Sequence, residues 1–207
     1  PFALCKALVI PAQAGIHKFD ISTSAAARHP ALRYSNDMPE APDLEVIKEF
    51  LDQRVLGSAI ESCKVLRPTV VRSLAGEIAT ELPGRTLEKI ERQGKFLTIS
   101  LSGERRLVIN PMLTGALQYC PAGERTQKKT CVVLGLGDGQ ELRYLDDRQM
   151  GKVYYIGDGQ EEQVPQYTDL GPDVLSGISL DEFKERLKKF RGEVKGVLTR
   201  SALISGI

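Results

Sequence analysis

The stretch "GRTLEKIERQGKFLTISL" (residues 84–101) decides the fold class. In "KFLTISL", Leu97, Ile99 and Leu101 alternate with Phe96, Thr98 and Ser100, the period of a half-buried strand. Gly84, Gly94 and Gly103 punctuate the runs, so the strands are short and turn back on themselves. Similar runs flank it: "AIESCKVL", "TVVRSL", "RLVIN" and "GKVYYI". "TCVVLGLGDGQELRYLDD" reads as a hairpin turning at Asp138-Gly139. Upstream, from Asp43, Leu44, Ile47, Phe50 and Leu51 share one face at helical spacing, with Pro42 before them and Gly57 after. Residues 38–156 therefore read as one helix followed by a two-layer antiparallel β-sandwich, an α+β arrangement.

The two ends differ from this middle. Residues 1–37 carry no sustained period and read as a loose tail, either a spurious upstream extension or a genuinely disordered one. Residues 157–172, polar and rich in Gly and Pro, read as a linker. Beyond it, Ser179 and Glu182 form a capping box, and Leu180, Phe183, Leu187 and Phe190 make one apolar stripe. Glu182–Arg186 and Glu185–Lys189 are spaced to pair. "EVKGVLTRSALI" reads as a second helix. So small a helical pair does not bury its stripes alone, so residues 173–207 are expected to be a truncated helical domain.

Composition narrows the chemistry. The chain has 207 residues and a formal net charge of +1, which neither announces nor excludes a nucleic-acid partner. No apolar run is long enough for a membrane helix, and Pro11 interrupts the faintly signal-like opening. Cys5, Cys63, Cys120 and Cys131 are scattered, which fits reduced thiols. His17 and His29 both precede Met38, so a His-based triad or a His-ligated metal is excluded from the main body. Gly135 to Gly139 does not open a helix and is a poor phosphate loop. Lys95 follows Gly94 at a strand start, which fixes its position; an edge lysine that discourages aggregation is the plainer alternative. Arg148 sits in a turn, where arginine is ordinarily just exposed.

Pro39 and Glu40 raise a sharper question. Within a chain a proline nitrogen is an amide and no nucleophile. At a terminus it is a secondary amine; free α-amino groups have pKa values of roughly 7.7–8, and such an amine can attack an electrophilic sugar carbon to give an iminium. Glu40 beside it can move a proton. The bland reading is that "MPEAP" merely leads into a helix.

"MPEAPDLEV" resembles the start of the formamidopyrimidine-DNA glycosylase/endonuclease VIII family, and four later segments resemble that family in its own order. They are "GRTLEKIERQGKFLTISL", "INPMLTGAL", "LRYLDDRQMGKVY" and "LGPDVLS…FKERLKKFRGEVKGVLTRSALISGI". The resemblance implies a β-sandwich followed by a partial helix–two-turns–helix domain. It implies a monomeric, cytoplasmic, nucleoid-associated DNA glycosylase and abasic-site lyase that removes oxidised bases from duplex DNA in base-excision repair. Met38 would be the first residue; Pro39 would attack C1′, Glu40 would protonate the sugar ring oxygen, and Lys95 would assist strand cleavage. Leu113 would fill the vacated space, Arg148 would face the orphaned base, Lys129 would lie near phosphate, and Lys195 would lie near the flipped base or its phosphate. No cofactor is expected in this chain; the family's zinc finger would lie beyond residue 207. The departures are Gln149 for a second arginine and Met150 for a phenylalanine wedge. They leave a non-catalytic DNA-binding relative as the alternative.

Overall fold

The computed structural model describes residues 8–10 and 40–206. Pro39 lies outside them. After β1 (Leu8–Ile10), the elements in chain order are α1 (Ala41–Val55), β2 (Ile60–Val65), β3 (Val71–Ser73), α2 (Ile78–Glu81), β4 (Leu87–Gln93), β5 (Phe96–Leu101), β6 (Arg105–Asn110) and β7 (Gly115–Pro121). They continue with β8 (Thr130–Leu136), β9 (Gln140–Asp146), β10 (Lys152–Gly157), α3 (Leu180–Leu187) and α4 (Val194–Leu198). Two five-stranded sheets form, ordered β1-β7-β9-β8-β2 and β3-β10-β6-β5-β4. This is the expected α+β sandwich.

The alternation of apolar residues is what closes it. Leu117, Val132, Leu134, Leu142 and Tyr144 from the first sheet meet Ile99, Leu107, Ile109, Val153 and Tyr155 from the second in one buried core. α1 lays Leu44, Ile47, Leu51 and Val55 on the same core. Each such side chain, removed from water, contributes about 1.5–3 kcal/mol.

Four features depart from the sequence reading. Most of the pairing is antiparallel, but β3 runs parallel to β10. "TVVRSL" is not a whole strand, because Pro68 starts a 3-10 turn over Pro68–Val70 and only three residues of strand follow. The upstream segment is not entirely loose, since Leu8–Ile10 pairs along the edge of β7. The polar stretch 157–172 is more than a spacer. Val164 and Tyr167 are buried against Phe96, Val108 and Ile156, and the Tyr167 hydroxyl pairs with Thr98 at 2.8 Å. Two aromatic or apolar residues in a polar run suffice to fasten it to the outer face of the second sheet.

The helical segment begins as its cap dictates: Ser179 Oγ accepts from the Glu182 N–H at 3.2 Å. Glu182 pairs with Arg186, whereas Glu185 pairs with Lys188 rather than Lys189. Phe183 and Phe190 pack against Val197, Leu203 and Ile204, but Leu180 is 65% exposed. Half of the apolar stripe is therefore used.

Candidate active site and nucleic-acid interface

Strand register gathers the site at one end of the sandwich. Leu97 faces Ile109, Lys152 faces Asn110, and Val153 faces Val71. The turn before β5, the turn after β6, the turn before β10 and the 3-10 turn before β3 thus share one rim. In the other sheet Gly115 faces Asp146, which adds the entry to β7 and the exit of β9. Leu44 of α1 lines a small internal space with Leu97, Pro111, Gly115 and Tyr144, so the first turns of α1 reach this end too.

Glu40 is exposed and caps α1, where its N–H donates to Asp43 Oδ2 at 3.1 Å. Lys95 sits in the two-residue turn Gly94-Lys95 that joins β4 to β5, rather than inside the strand. Gly94 has φ +55, and a Cβ there would stand 3.0 Å from the Ser205 side chain. Half-buried Lys95 donates to Gln166 Oε1 at 2.7 Å, and burial pulls its ammonium below the usual lysine range. An ammonium so placed releases its proton more readily than a surface lysine.

The turns that carry Leu113 and Arg148 are fastened to one another by Asp146, whose side chain is buried. Its Oδ1 accepts from Thr114 Oγ1 (2.5 Å), Arg148 N (3.1 Å) and Gln149 N (2.9 Å). Its Oδ2 accepts from Gly151 N at 2.7 Å and the Tyr144 hydroxyl at 3.4 Å. Burial first, and Asp146 second, push the Tyr144 phenol well up. Gly115 and Gly151 flank that hydroxyl so closely that a Cβ would fall 2.5 Å and 2.0 Å from it. Leu113 is left half-buried on its turn, and Arg148 is exposed. Lys129, half-buried, lends its carbonyl to Asp146 N at 2.8 Å, which brings it to the same rim.

Arg92 joins this rim to the helical segment. Its side chain is only 4% exposed; Nε donates to Glu45 Oε2 at 2.7 Å, and the two terminal nitrogens grip Asp173 at 2.5 Å and 2.6 Å. It also donates to the Gly94 carbonyl at 3.1 Å, and Gly94 N–H reaches Asp173 at 3.2 Å. Burial works against ionising Asp173 and Glu45, but the guanidinium, helped at Glu45 by Lys48 and at Asp173 by the Leu175 and Gly94 N–H groups, outweighs it, and both carboxyls are held low. One side chain therefore ties α1, the Lys95 turn and the first residues of the helical segment together.

Register and hydrogen bonds thus assemble Lys95, Leu113, Lys129 and Arg148 at one end, which the first turns of α1, capped by Glu40, also reach. Lys195 stands exposed on α4, and its side chain makes no hydrogen bond or ion pair among the described residues. Sequence reading missed Asp146 and Arg92. No local signal marks either: Asp146 ends a run, residues 142–146, that is buried throughout, and Arg92 lies between exposed Glu91 and Gln93. Among the described residues no group of three His, Cys, Asp or Glu side chains gathers to hold a metal ion. Those residues offer the implied zinc no ligands.

A family model described as the formamidopyrimidine-DNA glycosylase N-terminal domain matches residues 38–153. The formamidopyrimidine-DNA glycosylase of Desulforamulus reducens is 31% identical over 173 residues, which cover 82% of this chain and 62% of the relative. That of Symbiobacterium thermophilum is 34% identical over 172 residues, covering 82% and 56%. The chain thus spans less than two thirds of either relative's length. In fold, it resembles the Lactococcus lactis Fpg solved as a complex with an abasic-site-containing DNA. The TM-score is 0.72 at 24% identity, over 81% of this chain and 62% of that one. The wild-type Lactococcus lactis protein in complex with N7-benzyl-Fapy-dG-containing DNA gives 0.74 over 82% and 63%.

Proposed function

The chain belongs to the formamidopyrimidine-DNA glycosylase family, matched through its N-terminal domain, and from that membership we propose that it excises oxidised bases of the formamidopyrimidine and 8-oxoguanine type from duplex DNA. The observation that carries the proposal is the rim itself. Lys95, Leu113 and Arg148 come from three separate segments at one end of the sandwich, and the first turns of α1, which Glu40 caps, reach the same end.

The chemistry follows from the residue types. A damaged base must leave the stack before its sugar carbon can be reached. Leu113, on a turn held by Thr114 and Asp146, is the apolar wedge for the vacated space, and Arg148 is the cation for the orphaned base. The Pro39 nitrogen, as a secondary amine, forms a bond to C1′ while the bond to the base breaks, and Glu40 protonates the ring oxygen as the sugar opens. The resulting iminium acidifies the neighbouring sugar C–H; its loss expels the 3′ phosphate, and Lys95, with its lowered pKa, assists this strand-cleaving step. Lys129 is a phosphate contact, and Lys195 lies near the flipped base or its phosphate. The protein acts as a monomer on damaged chromosomal DNA in the cytoplasm.

A second reading rests on one fact. While Met38 is attached, the Pro39 nitrogen is an amide, and the chain is then a DNA-binding relative without lyase chemistry. Borohydride trapping on a lesion-bearing duplex separates the two. A chain beginning at Pro39 is expected to crosslink and its Pro39→Gly variant to lose most of the adduct; binding without any adduct selects the second reading.

A further inference from the structure

We propose that Gln149 is a specificity-determining contact for DNA, its carboxamide held by the Thr69 hydroxyl so that the amide N–H2 group meets a hydrogen-bond acceptor on the bound duplex. The inference rests on the DNA-binding reading above. The resemblance gives Arg148 a role and leaves Gln149 only as a departure, a neutral side chain at an arginine position.

The geometry restrains Gln149 at three points. Its backbone N–H is held by Asp146 Oδ1 at 2.9 Å, and its carbonyl accepts from Lys152 Nζ at 3.3 Å. Its Oε1 accepts from Thr69 Oγ1 at 2.5 Å, a bond that spans 80 residues of sequence. The backbone at Gln149 has φ +54, a left-handed conformation that side-chain-bearing residues seldom adopt. With Oε1 engaged, the remaining polar atom is Nε2, and it has no partner among the described residues. A carboxamide oxygen has two lone pairs and its nitrogen two N–H donors, so the Thr69 bond fixes the plane of the amide, fills one lone pair and leaves both donors facing away from Thr69. Arg148 next to it is exposed, and among the described residues only its backbone N–H is tied down. The rim thus pairs a loosely held cation with a fixed neutral donor. A neutral donor releases no counterion, so it adds discrimination rather than salt-sensitive affinity. The acceptor is an oxygen or ring nitrogen on a base edge.

The test uses the full chain and fluorescence-polarisation titrations of duplexes with a tetrahydrofuran abasic-site analogue opposite each of the four bases. Gln149→Glu keeps an oxygen for the Thr69 hydroxyl, so the turn is retained while both outward N–H groups are lost. It is expected to weaken binding about tenfold or more. Thr69→Val frees the amide to rotate and is expected to weaken binding about threefold. A loss that differs among the four opposite bases places the acceptor on a base; an equal loss in both variants overturns the proposal. Gln149→Arg is expected to steepen the salt dependence by about one counterion. The proposal is overturned when Gln149→Glu and Thr69→Val, folded by circular dichroism, bind all four duplexes as the unsubstituted chain does, or when Gln149→Arg leaves the salt slope unchanged. If the unsubstituted chain fails to prefer the abasic duplex over an undamaged one, the DNA-binding reading itself falls, and this inference with it.

Discussion

Replacing Arg92 by methionine removes the guanidinium that joins Glu45, the Gly94 carbonyl and Asp173 while keeping most of the packed volume. Removing one partner of a buried ion pair costs about 3–5 kcal/mol, because the other charge stays behind without its partner. Two features place this site at the lower end. Asp173 keeps the Gly94 and Leu175 N–H groups at 3.2 Å and 2.9 Å. Glu45 keeps Lys48 at 3.2 Å, and its side chain is 28% exposed. The expected loss is therefore about 3 kcal/mol, or a fall in Tm of roughly 6–12 °C for a chain of this size. A double-mutant cycle with Asp173→Asn, followed by urea unfolding, is expected to give a coupling of about 1.5 kcal/mol or more, since the two side chains share two bonds.

The pH dependence carries a sign. Both carboxyls are held below their ordinary values of 4.5 and 3.8 in the folded protein. The unfolded chain then binds more protons on acidification, so the clamp's contribution is complete above those values and is lost as pH falls through the lower, folded ones. The gap between the unsubstituted chain and Arg92→Met is expected to be level through neutral pH and to close in acid. A Tm loss under about 2 °C, or a cycle additive within about 0.5 kcal/mol, would refute the clamp and leave the junction to its backbone bridges.

Gly151→Ala drives a Cβ to 2.0 Å from the Tyr144 hydroxyl and 2.8 Å from the Asn110 carbonyl. It is expected to cost about 1–3 kcal/mol in urea unfolding, with partial recovery on adding Tyr144→Phe; no recovery would show that the hydroxyl is not the obstacle. Asp146→Asn sets an amide donor among donors and is expected to cost about 2–3 kcal/mol and to speed hydrogen exchange at Arg148, Gln149 and Gly151, whereas unchanged exchange would remove Asp146 from its organising role. Lys95 is expected to acetylate with a midpoint below the ordinary lysine range when labelling is followed against pH by mass spectrometry, because burial disfavours its charge; a midpoint within that range would contradict this. By linkage, stability gains from Lys95 as pH rises from its lowered folded value toward the ordinary lysine value.

How far the sequence reached depends on the range over which each feature is decided. α1 and the strands around "KFLTISL" are written locally, as spacing of apolar residues, and they form where that spacing puts them. The turn glycines are local as well, since Gly94 and Gly139 adopt positive φ between strands. What escaped is decided by partners far along the chain. Three residues of strand at Val71–Ser73 exist because β10 offers them an edge, and nothing in "TVVRSL" says that Pro68 will delay the strand. Val164 and Tyr167 look like residues of a linker until Phe96 and Thr98 lie beneath them. Asp146 and Asp147 read alike as an acidic pair in a turn; only the face on which Asp146 falls makes it the carboxylate that three backbone N–H groups and Thr114 require. Arg92 reaches Asp173 across 81 positions, and Thr69 reaches Gln149 across 80. The reacting groups themselves sit on turns, where sequence reading finds them by residue type. The groups that aim them are buried polar side chains whose partners exist only after the two sheets have closed. Buried charge is tolerated only where the whole fold supplies its counterpart, so the positioning residues of this rim are a property of topology rather than of any window of sequence.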